Sequence, residues 1–544
     1  MYAEAAGIAR ETPVAVAEPE DADDVVTLVR WAHESRTPLV PRGSGSSMAG
    51  GAIGAGVVVD LTRLNALGQV DAARRCVWCG PGAVRDAVDA AARRVGLQFT
   101  PDPSSGAWAT VGGMASTNAA GAHTVRYGAT RPWIAALDCV FDDGARLLVR
   151  RGERLPNERP AAIDRFLRDV ASTLVADERA APSTHAGVRK DTSGYGTAAY
   201  AASSDLVDLL VGSEGTLCLF VGLELRLAPA PAATSSLLGA FPTLEQAVAA
   251  AGAATAAGAS ACELLDRTFL DVAAQGGAAP PLPPATEAVL LAEVEGESLA
   301  DAARRAREVA SAFERAGAAR VELALDPRAE HAMWELRHAA SPILSRLDPS
   351  LRSMQFVEDG AVPPARLPEY VRGVRAILNK HDTRGVIFGH AGDAHVHVNP
   401  LVDVRRADWR ARVDAILSDV VALTARLGGT LAGEHGDGRL RAPLLPQVWP
   451  TAVIARFAAV KRAFDPRGIL NPGAKVALAG QRPAPEIKYD PALPPPPAAA
   501  RAVLDRVERE RAYGRSRLAM LDEAIASGRE PTRTRPPGTL ADDA

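Results

Sequence analysis

Apolar positions in the first 230 residues repeat at two different periods. In PEDADDVVTLVRWAHESRTP, Val25, Val26, Leu28, Val29 and Trp31 form one apolar face at helical spacing, and Pro38 follows its end, so this stretch predicts a helix. TPLVPRG, GAGVVVDLTRLNAL and RRCVWCGPG are short apolar runs closed by glycine or polar turns, and each predicts a strand. VRDAVDAAARRVGL returns to helical spacing. Strands and helices mixed in this way predict an α+β fold.

After about Pro229 the texture changes. Alanine-rich helical segments, LEQAVAAAGAATAAG and DAARRAREVASAFERAG, alternate with the strands AVLLAEVEG and ARVELAL, which predicts a second domain laid over the first. A third change follows Pro472-Gly473, where PALPPPPAAA reads as a stiff spacer before one charged helical stretch, about 499–527, and a polar end. That stretch reads as a surface helix with a disordered tip, with a docking or dimer contact as the other use. The expected division is 1–230, 231–440, 441–480 and 481–544. A chain of 544 residues needs such a division, because single cores stop growing at roughly 250 to 300 residues.

Composition narrows the partners. The 61 basic and 65 acidic residues are interspersed and leave a net charge of -4, so no basic field is available for nucleic acid or anionic lipid. No stretch approaches the roughly 18 apolar residues of a membrane span. The N-terminus lacks a basic start and an apolar core, which predicts a cytoplasmic protein. The cysteines Cys76, Cys79, Cys139, Cys218 and Cys262 are odd in number and do not form a secreted disulfide framework. Cys76 and Cys79 make a CxxC inside a strand with no second pair, which favours packing over zinc or thiol redox chemistry.

The loop PRGSGSSMAGG carries Gly43-Ser44-Gly45, with Asp60 at a distance that fits a ribose-binding acid. The dinucleotide fingerprint requires the glycine turn to open into a helix, whereas this loop runs into the strand GVVVDL, so the Rossmann reading fails. A loop of glycine and serine can still offer backbone N–H groups to an anion. Three further segments share its small-residue character: PDPSSGAWATVGGMASTNAAG, RKDTSGYG and GSEGTL.

Four of the ten histidines fall within FGHAGDAHVHVNP and AGEHGDGRL. His390 and His397, seven apart around Gly392-Asp393, could converge with Glu434 into a two-imidazole, one-carboxylate site with open positions. His395 and His397 share one face if HVHVN is a strand, and hydrogen bonding inside a core is the remaining use of such residues.

These motifs, in this order, resemble the FAD domain and cap of the vanillyl-alcohol-oxidase-type flavoproteins, in particular the D-lactate, glycolate and D-2-hydroxyglutarate dehydrogenases. The resemblance runs from about residue 10 to 476. It implies an FAD-binding domain of two subdomains and an inserted cap of antiparallel sheet plus helices. It implies that Pro41, Arg42, Gly43, Ser44, Gly45, Ser46 and Ser47 wrap the FAD pyrophosphate. Pro103, Ser104, Gly112, Gly113, Ser116, Asn118, Gly121, Glu214, Gly215 and Asn471 would line the flavin, with Lys475 as a weaker member. Some relatives attach flavin through His or Cys; this loop has neither, which favours a non-covalent FAD.

In the cap, GHAGDAHVHVN resembles the family's GHxGDGNxHxN, and GEHGDG its second histidine motif. The resemblance implies that His390, His397 and Glu434 bind a divalent metal, Zn or Mn, that Asn399 contacts substrate, and that His435 is the acid–base residue. It also implies that Arg337 clamps the substrate carboxylate, with Ser341 a weaker candidate. Ala394-His395 replaces the usual Gly-Asn, so His395 is either an extra polar contact or a change in metal geometry. FVEDGAVPPARL resembles a cap-strand motif of members joined to iron–sulfur domains.

The implied reaction removes the hydroxyl proton of a small anionic D-2-hydroxy acid and passes the Cα hydrogen, as hydride, to flavin and then to an electron acceptor. A metal on the hydroxyl and carboxylate would lower the hydroxyl pKa. The alternatives are an alcohol or sugar oxidase on this fold, or a flavin-binding subunit of a larger complex. The C-terminal tail is the expected surface for a homodimer or partner subunit.

Overall fold

The computed structural model describes residues 1–275, 282–338, 350–510, 512, 513 and 515–526. Ser341 and the polar end of the chain lie outside the described residues.

The predicted first helix spans Ala22–Ser35 and is capped by the Asp21 carboxylate, which accepts from the N–H groups of Asp23 and Asp24. It buries Val25, Val29 and Ala32 on a parallel sheet of Ala15–Ala17, Val57–Asp60 and Leu39–Arg42, in that order. Leu39 also hydrogen-bonds to Ile469 and Asn471, so a segment 430 residues later extends this edge. Asp60 caps the turn at Leu61–Arg63 and receives the Tyr2 hydroxyl at 2.7 Å, so it is occupied by structure. That removes its appearance as a ribose-binding acid.

A second, antiparallel sheet holds Cys76–Cys79, Leu219–Arg226, Ile134–Val140 and Arg146–Arg150. Both cysteines of the CxxC are buried and free of disulfides, and Cys79 lies in a core that also takes Phe457, Val460 and Phe464 from the Thr451–Phe464 helix. Between the strands the segment rich in small residues forms a short helix, Val111–Thr117, with Thr110 as its N-cap. The sequence pattern predicted only a glycine-rich approach there.

The cap is an antiparallel sheet ordered Arg320–Ala324, Ala233–Phe241, Ala288–Gly296, Ala261–Asp266, Arg384–His390, His395–Asp403 and Leu351–Ser353, with Gly360–Ala361 also on His395–Asp403. The helices Leu244–Ala256, Leu299–Arg315, Leu367–Lys380 and Trp409–Arg426 cover its core face. His390 and His395 are direct cross-strand partners around the turn at 391–394. Ala394 takes φ 55° there, the left-handed region that favours glycine, at a cost of roughly 1 kcal/mol.

The tail differs from its expected form. In place of one surface helix there are two, Ala498–Glu510 and Arg517–Ala526. Val503, Val507 and Met520 pack together with Met1, and Leu518 packs against Tyr2, Val40 and Val58 of the parallel sheet. The apolar positions of a thinly amphipathic stretch are covered by the chain's own N-terminus. Among the described residues no helix is long and apolar enough to cross a membrane.

Candidate active site

One cavity of about 810 Å³ runs from the glycine loop to the cap sheet. Its first half is walled by Pro41 to Ser47, Pro103, Ser104, Gly112, Gly113, Ser116, Glu214 and Gly215. Small residues are required by contact: a Cβ on Gly43 would lie 2.2 Å from Thr110 Oγ1, and one on Gly112 2.5 Å from Pro81 Cβ. The helix N-terminus that the glycine loop itself does not provide is brought beside it by Val111–Thr117.

Several expected cofactor residues shape the wall from behind. Arg42 lines the cavity but its guanidinium donates to Ala52 O at 3.2 Å and Glu4 O at 3.0 Å. Asn118, at φ 52°, ends the helix and accepts from Arg131 N–H. Gly121 packs on Asp102 and accepts from Lys190 Nζ. Asn471 donates to Gly51 O and Glu214 O, and accepts from Arg439. Glu214 is fixed by the N–H groups of Asp437 and Gly438 and by Lys475 Nζ at 3.1 Å. The wall also carries Cys218 and His123, neither in the glycine loop.

The far half of the same cavity is walled by Arg337, His390, His397, Asn399, Glu434 and His435. His390 turns Nδ1 to the Glu263 carboxylate at 2.5 Å, and His397 turns Nδ1 to Glu358 O at 2.9 Å. Both rings therefore aim Nε2 at one point: each Nε2 is 3.2 Å from Glu434 Oε1, and the two are 3.4 Å apart. Ligand atoms bound to one ion at about 2.1 Å are spaced by about 3 to 3.4 Å, so the set fits a divalent cation. The backing of each Nδ1 is the arrangement that orients metal-binding imidazoles.

Carboxylates and burial set the charge of the cluster in opposite directions. Burial opposes a charge on Glu434, but Lys190 Nζ at 2.8 Å and His390 hold it well below the usual carboxylate range. Burial likewise opposes a proton on His390, yet Glu263 carries it up to about 9. His395 is fully buried, 2.9 Å from Asp359 Oδ1, and burial brings it down to about 3. One ligand atom from each of His390, His395, His397 and Glu434 lies within 4.8 Å of the others, so both ways of grouping these histidines are geometrically open.

His435 lies beside the cluster, its ring stacked on His397 at 5.4 Å. Its Nδ1 is 3.3 Å from Glu358 Oε1, and the carboxylates of Asp359 and Glu358 outweigh burial to bring it up to about 8. Arg441 pairs with both carboxylates from behind. Arg337 lies 4.6 Å over the Phe388 ring, with Nε on Glu263 at 2.8 Å, so one carboxylate already orients the expected clamp.

Sequence reasoning missed Glu263, Lys190, Glu358 and Asp359 as members of this site. The signals are a carboxylate in the apolar strand ACELLD, a lysine among the small residues of RKDTSGYG, and the acidic pair of FVEDG.

Residues 13–149 match the FAD binding domain family, and residues 230–474 match the C-terminal domain of FAD linked oxidases. The chain is 29% identical over 473 residues to glycolate oxidase subunit GlcD of Bacillus subtilis, covering 86% of this chain and 89% of that protein. It is 29% identical over 464 residues to D-lactate dehydrogenase of Archaeoglobus fulgidus, covering 85% and 91%. The fold resembles 4-ethylphenol oxidase from Gulosibacter chungangensis, with TM-score 0.62 at 16% identity over 85% of this chain and 88% of that one. With a flavin-sized cradle joined to a polar reaction chamber, the chain belongs to the FAD-linked oxidases and is an FAD-dependent oxidoreductase of the branch that holds glycolate oxidase subunits and D-lactate dehydrogenases.

Proposed function

We propose that this protein oxidises a short D-2-hydroxy acid to the 2-oxo acid, holding FAD without a covalent bond. The observation that carries the reading is the single cavity joining the glycine cradle to the converging Nε2, Nε2 and Oε1 atoms of His390, His397 and Glu434. When bound, FAD accepts the hydride from Cα. A divalent cation, Zn or Mn, on those three atoms would polarise the substrate hydroxyl.

The protein's own groups do the rest. Arg337 receives the substrate carboxylate, its guanidinium already aligned by Glu263 and the Phe388 face. Asn399 contacts substrate from the same wall. His435 takes the hydroxyl proton, and Glu358 and Asp359 give its ring the affinity to keep it. A second reading, a flavin-carrying subunit of a larger assembly, has support in the Bacillus relative, which is a glycolate oxidase subunit. It retains this chemistry and adds a partner as electron acceptor.

The test is anaerobic flavin reduction. D-Lactate, glycolate or D-2-hydroxyglutarate should bleach the flavin, and bleaching should be lost on chelation and in His435→Ala. Flavin reduced by primary alcohols or sugars but by none of these acids would replace the reading with that of an alcohol or sugar oxidase. Bleaching that survives chelation removes the metal from it. A flavin that stays with the denatured chain would mark Cys218 or His123 for covalent attachment.

A further inference from the structure

The helix pair Ala498–Glu510 and Arg517–Ala526 reaches the cavity from the far end of the sequence. Tyr513, between the helices, lines the cavity with its ring 5.6 Å from that of Trp108 and tilted 32° to it. Trp108 belongs to the segment just before the helix N-terminus at Val111. The two rings thus meet at the cavity wall from segments about 400 residues apart in the chain.

Arg517 lies under the glycine loop. It is 3% exposed, and its Nη2 donates to Ser44 O at 3.0 Å. Its Nε is buried without a hydrogen-bond partner among the described residues. Arg42, 2% exposed, approaches the same loop from Gly45. Neither guanidinium forms an ion pair among the described residues. Burial lowers the pKa of both; the like charge of Arg517 helps to bring Arg42 down to about 10, and the Asp60 carboxylate offsets part of the shift at each.

One carboxylate, Asp60, reaches both cations, and it is shared with the Tyr2 hydroxyl and Thr62; two buried cations so thinly compensated are costly unless a further anion sits near them. The loop between them is prepared for one. The carbonyl oxygens of Ser44, Gly45 and Ser47 are taken by Arg517, Ala6 N–H and Gly7 N–H. An anion at the loop therefore does not meet those oxygens unpaired, and on the proposed reading, in which this loop holds FAD, the diphosphate would supply the missing negative charge.

We propose that the C-terminal helix pair is a working part of the cofactor site, so that FAD binding and docking of the pair are coupled. Arg517 adds charge beneath the loop that receives the diphosphate, and Tyr513 adds an aromatic wall. The tail retains the cofactor, and loss of FAD loosens the tail.

The coupling is tested on flavin-stripped full-length protein, with the FAD Kd read by fluorescence quenching in wild type, Arg517→Met and Tyr513→Ala. Arg517→Met should raise Kd at least tenfold and Tyr513→Ala about fivefold. Hydrogen exchange across 498–510 and 515–526 should slow when FAD is added. Melting of the stripped proteins identifies a variant that fails to fold, and the other variant then carries the affinity test. If every folded variant binds FAD within twofold of wild type, or if exchange in the pair ignores FAD, the pair is packing alone and the proposal is overturned. A flavin that cannot be stripped overturns it too, since a covalent bond leaves nothing for the tail to retain.

Discussion

At one end of the cavity, Pro41 to Ser47 and the 103–116 segment offer glycine, serine and main-chain groups; at the other, His390, His397, Glu434 and His435 offer ionisable side chains. The first end is made specific by what it lacks, since an added Cβ at Gly43 or Gly112 meets protein atoms at 2.5 Å or less. The second is made specific by charge balance. Three carboxylates (Glu263, Glu358 and Asp359) and two cations (Lys190 and Arg441) back four imidazoles, all in low-dielectric surroundings. A shape-selected cradle tolerates changes of charge but not of volume, whereas a charge-selected site tolerates neither a lost proton nor a lost partner. The two ends should therefore fail separately.

The largest effect is expected at the charged end. Glu434→Gln removes the negative charge and leaves one amide oxygen, which can face the two Nε2 atoms now 3.2 Å from Oε1 or the Lys190 Nζ now 2.8 Å from Oε2, but not both. A loss of about 10³-fold in kcat/KM is expected, about 4 kcal/mol of transition-state stabilisation, with the FAD content of the purified protein unchanged. Activity retained within tenfold would separate the cluster from the chemistry. Loss of FAD as well would mean that the two ends are one unit.

The converse variant is Gly43→Val. Its added carbons meet Thr110 Oγ1, the N-cap of the Val111–Thr117 helix, so the loop or the helix must move. FAD occupancy should fall at least tenfold, while zinc or manganese taken up by the cluster, measured by elemental analysis, stays at the wild-type level. Equal loss of metal would break the comparison from the other side.

The cradle was the more legible end because its information is local. That PRGSGSSMAGG exits into a strand could be read directly, and Val57–Asp60 is that strand. The histidine motifs were legible as a cluster because His390, His395 and His397 lie on two strands joined by a short turn. Their backing was not, because Glu263, Lys190 and Glu358 come from 127, 244 and 77 positions away from the groups they hold. No periodicity reports contacts of that range. The docking of the tail was hidden for the same reason: Val503, Val507 and Met520 are too few to mark a buried face until Met1 is placed against them.

The smallest effect tests what joins the two ends. His123, on the FAD-domain side, is held between Asp102 at 2.5 Å and Glu293 of the cap strand Ala288–Gly296 at 2.9 Å. Burial opposes its charge, but the two carboxylates prevail and hold its pKa well above the usual histidine range. A group raised on folding stabilises the folded state fully below its unfolded value, near pH 6.5, and loses that contribution as pH rises through the folded value. The ring is 24% exposed, so solvent screening keeps the contribution small. In flavin-free protein, His123→Gln should lower Tm by about 2 °C at pH 6, and the gap should narrow steadily as the pH is raised above about 6.5. A gap that is flat with pH would mean that the imidazole bridges the two carboxylates without its charge. A gap that widens would mean that the neutral ring is the form that holds the cap to the FAD domain.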